Sequence, residues 1–177
     1  MRMPCLVSLL LVPAIAVAAG SQVTLPSGGS IRYSSGASQT RLEISAAGKK
    51  LQRVNLARDS TVAAKSLPSD IRIVGEIQGK VIILVDTYPS ISGGMSYCQA
   101  GDEKFLRVIS IAKTPPKETL QLKLGSCRQN IELADPGMEW DSASSTLRIH
   151  WLLGPSQKEK PEERTIRIGP DGAPVEP

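Results

Sequence analysis

Histidine is almost missing from this chain: His150 is the only one. Cysteine occurs three times, at Cys5, Cys98 and Cys127, and the aromatic residues make up 3% of the sequence. Each shortage excludes some chemistry. A zinc site built from nitrogen and sulfur ligands lacks its donors, and the lone His150, whose alternation partners Thr146 and Arg148 are polar, reads as a structural residue on the wet face of a strand. A nucleic-acid surface of the usual kind needs a basic stripe interleaved with aromatics. Here basic and acidic residues alternate locally, as in Lys158-Glu159-Lys160 and Glu162-Glu163-Arg164. There is no glycine-rich phosphate loop, heptad pattern or internal repeat. No catalytic residue, metal or cofactor is therefore expected, and no nucleic-acid partner.

Long apolar runs are scarce too. The longest lies at the start, from Cys5 to Val17, preceded by Arg2 and interrupted only by Ser8 and Pro13. It is shorter than the ~20 residues that span a bilayer. Ala16-Val17-Ala18 places small residues where a signal peptidase reads them. The expectation is a signal peptide over 1–18, cut near Ala18 or Ala19. One β-rich domain then covers 19–177, its last residues, 170–177, forming a proline-rich tail. The mature chain is expected to be periplasmic or secreted, with no stable membrane insertion. Loss of Arg2 leaves 20 basic and 17 acidic residues, a net of +3.

Cys98 and Cys127 remain after that cut. An even count in an exported chain reads as a disulfide. Closing a loop of this length would stabilise by about 3.6 kcal/mol in the chain-entropy model.

What the sequence does have is a period of two. Leu120, Leu122 and Leu124 alternate with Thr119, Gln121 and Lys123. Leu147, Ile149, Trp151 and Leu153 alternate with Thr146, Arg148, His150 and Leu152. Ile71, Ile73 and Ile77 form one face, with Arg72 and Glu76 on the other. Such alternation describes strands with one buried face. Val81–Val85 is continuously apolar, which predicts a central strand covered on both faces. Further strands are expected near Ser30–Tyr33, Arg41–Ser45, Leu51–Leu56, Phe105–Ile111, Asn130–Leu133, Met138–Asp141 and Arg164–Ile168. One helical turn fits Asp59–Lys65, capped by Asp59 or Ser60. The stretch Met138–Leu153 resembles one propeller blade, but it does not recur, so a propeller is set aside. The fold class is all-β: a single-domain antiparallel β-sandwich or barrel-like fold with one disulfide.

Candidate nucleophiles lack bases. Ser110-Ile111-Ala112-Lys113 has the S-x-x-K spacing, but residues three apart on a strand face opposite ways. Gly94-Met95-Ser96 opens like a nucleophile elbow, yet Cys98 stands where the second glycine belongs. Ser126 has no evident partner. Adjacent carboxylates at Asp102-Glu103 and Glu162-Glu163 read as solvated loop charges.

The least ordinary segment is Tyr88–Glu103, Y-P-S-I-S-G-G-M-S-Y-C-Q-A-G-D-E. It joins two strongly apolar strands, and loops this long in compact domains tend to carry function. Tyr97 and Met95 are the candidate apolar contacts. Ser92 and Ser96 would supply hydrogen bonds, and Gly93 and Gly94 close backbone approach. Tyr88 is a weaker candidate, since it could complete the strand and pack inward. A Cys98–Cys127 bond would clamp the base of the loop.

Ser92-Gly93-Gly94-Met95-Ser96-Tyr97-Cys98 resembles the S-G-x-x-Y loop by which small periplasmic lysozyme inhibitors plug their target's cleft, although Tyr97 falls five positions after Ser92 rather than four. In its small size, export and disulfide, the chain is also similar to exported immunity proteins that neutralise secreted effectors. Both resemblances imply a non-catalytic β-protein that binds another protein. Three functions are therefore carried: a binding or inhibitor protein of the cell envelope, a structural or assembly module working through strand edges, and a wall-polymer hydrolase using carboxylates.

Overall fold

The computed structural model describes residues 22–36, 39–46, 50–63, 65–91, 101–156 and 160–175. Twelve strands alternate with turns: β1 (Gln22–Thr24), β2 (Ser30–Ser35), β3 (Thr40–Ser45), β4 (Gln52–Asn55), β5 (Asp70–Ile77), β6 (Val81–Pro89), β7 (Asp102–Ser110), β8 (Lys117–Ser126), β9 (Glu132–Asp141), β10 (Thr146–Leu153), β11 (Glu162–Ile168) and β12 (Pro174–Val175). They form three antiparallel four-stranded sheets, each contiguous in sequence: β1-β2-β3-β4, β5-β6-β7-β8 and β12-β11-β10-β9. The all-β expectation holds. The architecture, however, is three sheets rather than the two of an ordinary sandwich.

Two apolar layers join the sheets. Ile31, Tyr33, Leu42, Ile44 and Val54 of the first sheet pack against Ile82, Leu84, Tyr88, Phe105 and Ile109 of the second. On the second sheet's other face, Val81, Ile83, Val85, Leu106, Val108 and Leu124 pack against Leu147, Ile149, Trp151, Ile166 and Ile168 of the third. The V-I-I-L-V run thus lies in a sheet covered on both faces. Its alternate side chains enter different cores, so every position must be apolar. Trp151 closes its own polar requirement by donating Nε1–H to the Leu124 carbonyl at 3.0 Å.

Several expectations change once pairing is known. Ile71 and Ile73 lie in the first core, but Ile77 lies in the second. A bulge between Ile73 and Gly75 inserts one unpaired residue opposite β6. One extra residue reverses the strand's parity, which is why the three isoleucines do not share a face. The two short strands expected at 130–133 and 138–141 are one strand, β9, which pairs with β10 across two register shifts. No helix occurs among the described residues; the described part of the expected helical turn, 59–63 and 65, makes turns and bends instead. Asp59 does cap, accepting the Thr61 N–H at 2.8 Å.

The β5 bulge also meets the third sheet. A Cβ on Gly75 would stand 2.4 Å from Trp140 Nε1 and 2.8 Å from its Cδ1. The indole therefore lies directly on the glycine's backbone. Gly75→Ala should force this contact apart and cost about 1–3 kcal/mol in denaturant unfolding. Combined with Trp140→Leu, the added cost should largely vanish, a coupling that a double-mutant cycle measures.

Candidate functional site

The segment singled out in the sequence is shorter in the structure. β6 continues to Pro89 and β7 begins at Asp102, with Tyr88 opposite Glu103 and Pro89 opposite Asp102. The connection proper is 90–101, and Ser90 N–H to Gly101 C=O (2.8 Å) closes it. Ser92, Gly93, Gly94, Met95, Ser96, Tyr97 and Cys98 lie outside the described residues. Tyr88 departs from the role of a surface contact: its side chain is buried and its ring meets Phe105 edge-on at 6.0 Å.

Three separate parts of the chain hold the two ends of this connection. Ile91 N–H donates to the Thr61 carbonyl (3.2 Å), which belongs to the crossing between the first two sheets. Ile91 C=O accepts from Arg128 Nη1 (2.7 Å), in the turn after β8. Cys127 N–H donates to the Asp102 carbonyl at 3.3 Å. Glu103, fully buried, accepts the Ser90 hydroxyl at 2.7 Å and the Arg128 N–H at 3.4 Å. Lys123 stands behind Glu103, its Nζ 3.7 Å from Oε2. The same ammonium donates to Asp59 (2.9 Å) and Thr61 Oγ1 (3.0 Å), and lies over the Phe105 ring. The alternation of β7 and β8 explains this grouping: Phe105 and Lys123 are opposite in register, and Glu103 is one side-chain period from Phe105.

Two open grooves flank the anchors. One, of about 380 Å³, runs beside Asp102, Ser126, Cys127 and Leu133. The other, of about 290 Å³, is lined by Asp59, Lys123, Gln129 and Ile131. Both are open to solvent; the first mixes apolar and polar lining and the second is mainly polar.

A second polar group lies deeper, between the first two sheets. Asp86 is completely buried and accepts from Tyr33 (2.8 Å), Tyr88 (2.9 Å) and Arg107 Nε (2.6 Å) at one oxygen. Arg107 Nη1 reaches Glu118 at 2.6 Å, and Glu118 also accepts the Ala57 N–H. Burial opposes the charge on Arg107, but Asp86 and Glu118 outweigh it and hold the guanidinium protonated. Burial and the Asp86 charge together raise both tyrosines far above the ordinary phenol value, so each remains a donor. A cavity of about 30 Å³ beside Arg107, Tyr88 and Phe105 is large enough only for one or two waters. This group fastens sheets together; it has no room for a substrate.

The other residues considered from sequence fall apart in space. Ser110 Oγ is buried without a hydrogen bond, while Lys113 points to Asp171 at 3.5 Å. Ser126 Oγ accepts the Gln129 N–H. His150 is on the outer face of β10, 3.7 Å from Glu163. Among the described residues no cluster of three histidine, cysteine or carboxylate side chains could hold a metal ion. No described helix is long and apolar enough to cross a membrane. Among the described residues Glu43, Asp59, Asp141 and Asp171 have carboxyls held below the ordinary range, by hydrogen bonds and neighbouring cations.

No protein-family model matches the chain, and no curated protein or solved structure matches it either.

Two predictions follow from the anchors. Partial burial pushes Asp59 up, but hydrogen bonds from the Thr61 hydroxyl and amide and from Lys123 more than reverse this. A carboxyl lowered by folding stabilises fully above its ordinary value of 3.8 and loses that contribution as pH falls through its folded value. Asp59→Asn should therefore flatten the acid limb of stability below pH ~4, measured by urea midpoints against pH. Arg107→Met, which leaves two buried carboxylates without their cation, should cost about 3–5 kcal/mol at neutral pH.

Proposed function

We propose that this is an exported, non-catalytic binding protein of the bacterial cell envelope that uses the β6–β7 connection to engage and block a protein partner such as a hydrolase or toxin. The observation that carries the reading is the anchoring at 90, 91, 102 and 103. Side chains and backbone from the 59–61 turn, β8 and the turn after it converge on the ends of one connection. A loop whose ends are fixed loses less entropy on binding, which favours affinity without enlarging the interface. The sequence between these anchors suits the task. Tyr97 and Met95 offer adaptable apolar area, and Ser92, Ser96, Gly93 and Gly94 offer hydrogen bonding and close approach.

The disulfide belongs to the same proposal. Cys127 sits at the base of the connection, one residue beyond Ser126, whose register partner is Glu103. A bond to Cys98 would tie the loop's interior to the frame that already holds its ends. Export to the periplasm or outside the cell supplies the oxidising compartment such a bond needs.

The decisive test starts from a pull-down of the mature protein in envelope extracts, followed by affinity measurement for the recovered partner. Tyr97→Ala and Met95→Ala, each first checked for an unchanged melting temperature, should weaken binding by ~2 kcal/mol or more at a hot spot. Folded variants that bind as tightly as the parent would reduce the connection to a corner of the fold.

A further inference from the structure

The outer face of the first sheet carries three arginines and one carboxylate. Tyr33, Leu42, Ile44 and Val54 point into the core. Their strand neighbours form the opposite face: Gln22, Thr24, Ser30, Arg32, Ser34, Arg41, Glu43, Ser45, Arg53 and Asn55. No apolar or aromatic side chain stands among them. Arg32, Glu43 and Arg53 are aligned in register across β2, β3 and β4, and Glu43 bonds both arginines, at 2.6 and 3.1 Å. Arg41 lies diagonally beside this row and adds charge that Glu43 does not neutralise.

This face is the centre of a wider asymmetry. The described residues between 22 and 58, which include the first sheet, hold five basic residues and one acidic. The described residues between 127 and 175, which include the third, hold five basic and seven acidic. The second sheet lies between them, so the two ends of the stack carry opposite net charge.

We propose that the outer face of the first sheet docks on an anionic lipid bilayer, reading phosphate-bearing headgroups. Four strands make a surface ~14 Å wide and ~20 Å long. The guanidinium fork matches phosphate oxygens, and the serines, threonine and amides supply further donors. The lack of aromatics among these side chains disfavours stacking with bases. The lack of apolar side chains makes the contact peripheral and salt-sensitive rather than inserted. The acidic third sheet would face away, since an anionic surface repels it. This inference is independent of the β6–β7 connection.

The test is co-sedimentation of the mature protein with vesicles of phosphatidylglycerol and phosphatidylcholine, and with phosphatidylcholine alone, at low and high salt. Binding should require the anionic lipid and be lost in high salt. Each cation near such a surface strengthens binding about fivefold. The triple variant Arg32→Gln, Arg41→Gln, Arg53→Gln should bind at least about tenfold more weakly. Glu43→Gln, which frees two arginines, should bind more tightly than the parent. Arg148→Gln with Arg164→Gln and Arg167→Gln removes the same charge from the third sheet and should not weaken binding. Three results would overturn the proposal: no binding to anionic vesicles, equal losses in the two triple variants, or salt-sensitive self-association in place of vesicle binding. The last, read by analytical ultracentrifugation, would assign the face to the acidic sheet of a second copy.

Discussion

The second sheet has no face turned to water, and most of what is unusual in this protein descends from that constraint. β6 is buried at every position from Val81 to Tyr88. A polar group placed there must be satisfied by protein or cost several kcal/mol. Asp86 and Arg107 are placed there. The fold answers by drawing Tyr33 from the first sheet, Tyr88 from the same strand and Glu118 from the edge strand onto them. Apolar packing alone tolerates sliding between sheets. A carboxylate that accepts donors from both sides of the interface does not, so Asp86 sets how the first sheet is seated on the second.

The same constraint shapes the loop region. Glu103 is as buried as Asp86, but it lies at the end of β7, where the covering sheet runs out. Its partners therefore come mostly from connecting segments, Ser90 and the Arg128 amide, with Lys123 of the edge strand β8 beside them. Satisfying this one carboxylate brings the 59–61 turn, the turn after β8 and the ends of the 90–101 connection together. Structural need and the stiffening of a candidate binding loop have a common cause here.

Much of the fold was legible in the sequence, because solvent separates the faces of an amphipathic strand. The V-I-I-L-V run identified the doubly covered strand, and the alternations near 120 and 147 identified β8 and β10. Parity was legible only where no bulge intervened. Val74 falls on the polar face of the alternation, and nothing in R-I-V-G-E shows that the strand gains a residue before Gly75; the bulge lies against Trp140, some 65 residues away. Glu103 reads from sequence as a solvated loop charge and Asp86 draws no reading of its own, since a carboxylate next to a loop ordinarily meets water. Apart from Tyr88 beside Asp86, their partners are distant in sequence, and pairing register decides them. For the loop, composition pointed to the segment but not to its anchors. Thr61 acts through its carbonyl and Arg128 through both its amide and its guanidinium, and neither stands out in the sequence.

Topology also decides what a drift in composition does. In a Greek key or doubly wound fold, consecutive strands are dealt to different layers, so a basic stretch and an acidic stretch become mixed in space. Here each sheet is a meander completed before the next begins. A basic first third and an acidic last third therefore become opposite ends of a stack. Short windows of sequence show both signs interspersed, as at 158–164, and conceal the trend. Only the assignment of whole segments to whole sheets reveals it. Within the basic sheet, Glu43 limits the mutual repulsion of Arg32 and Arg53, and Arg32 first, then Arg53, holds its pKa low against the opposing effect of burial. That pairing stabilises a face which would otherwise carry three uncompensated cations, and it leaves the residual charge spread across the sheet rather than cancelled.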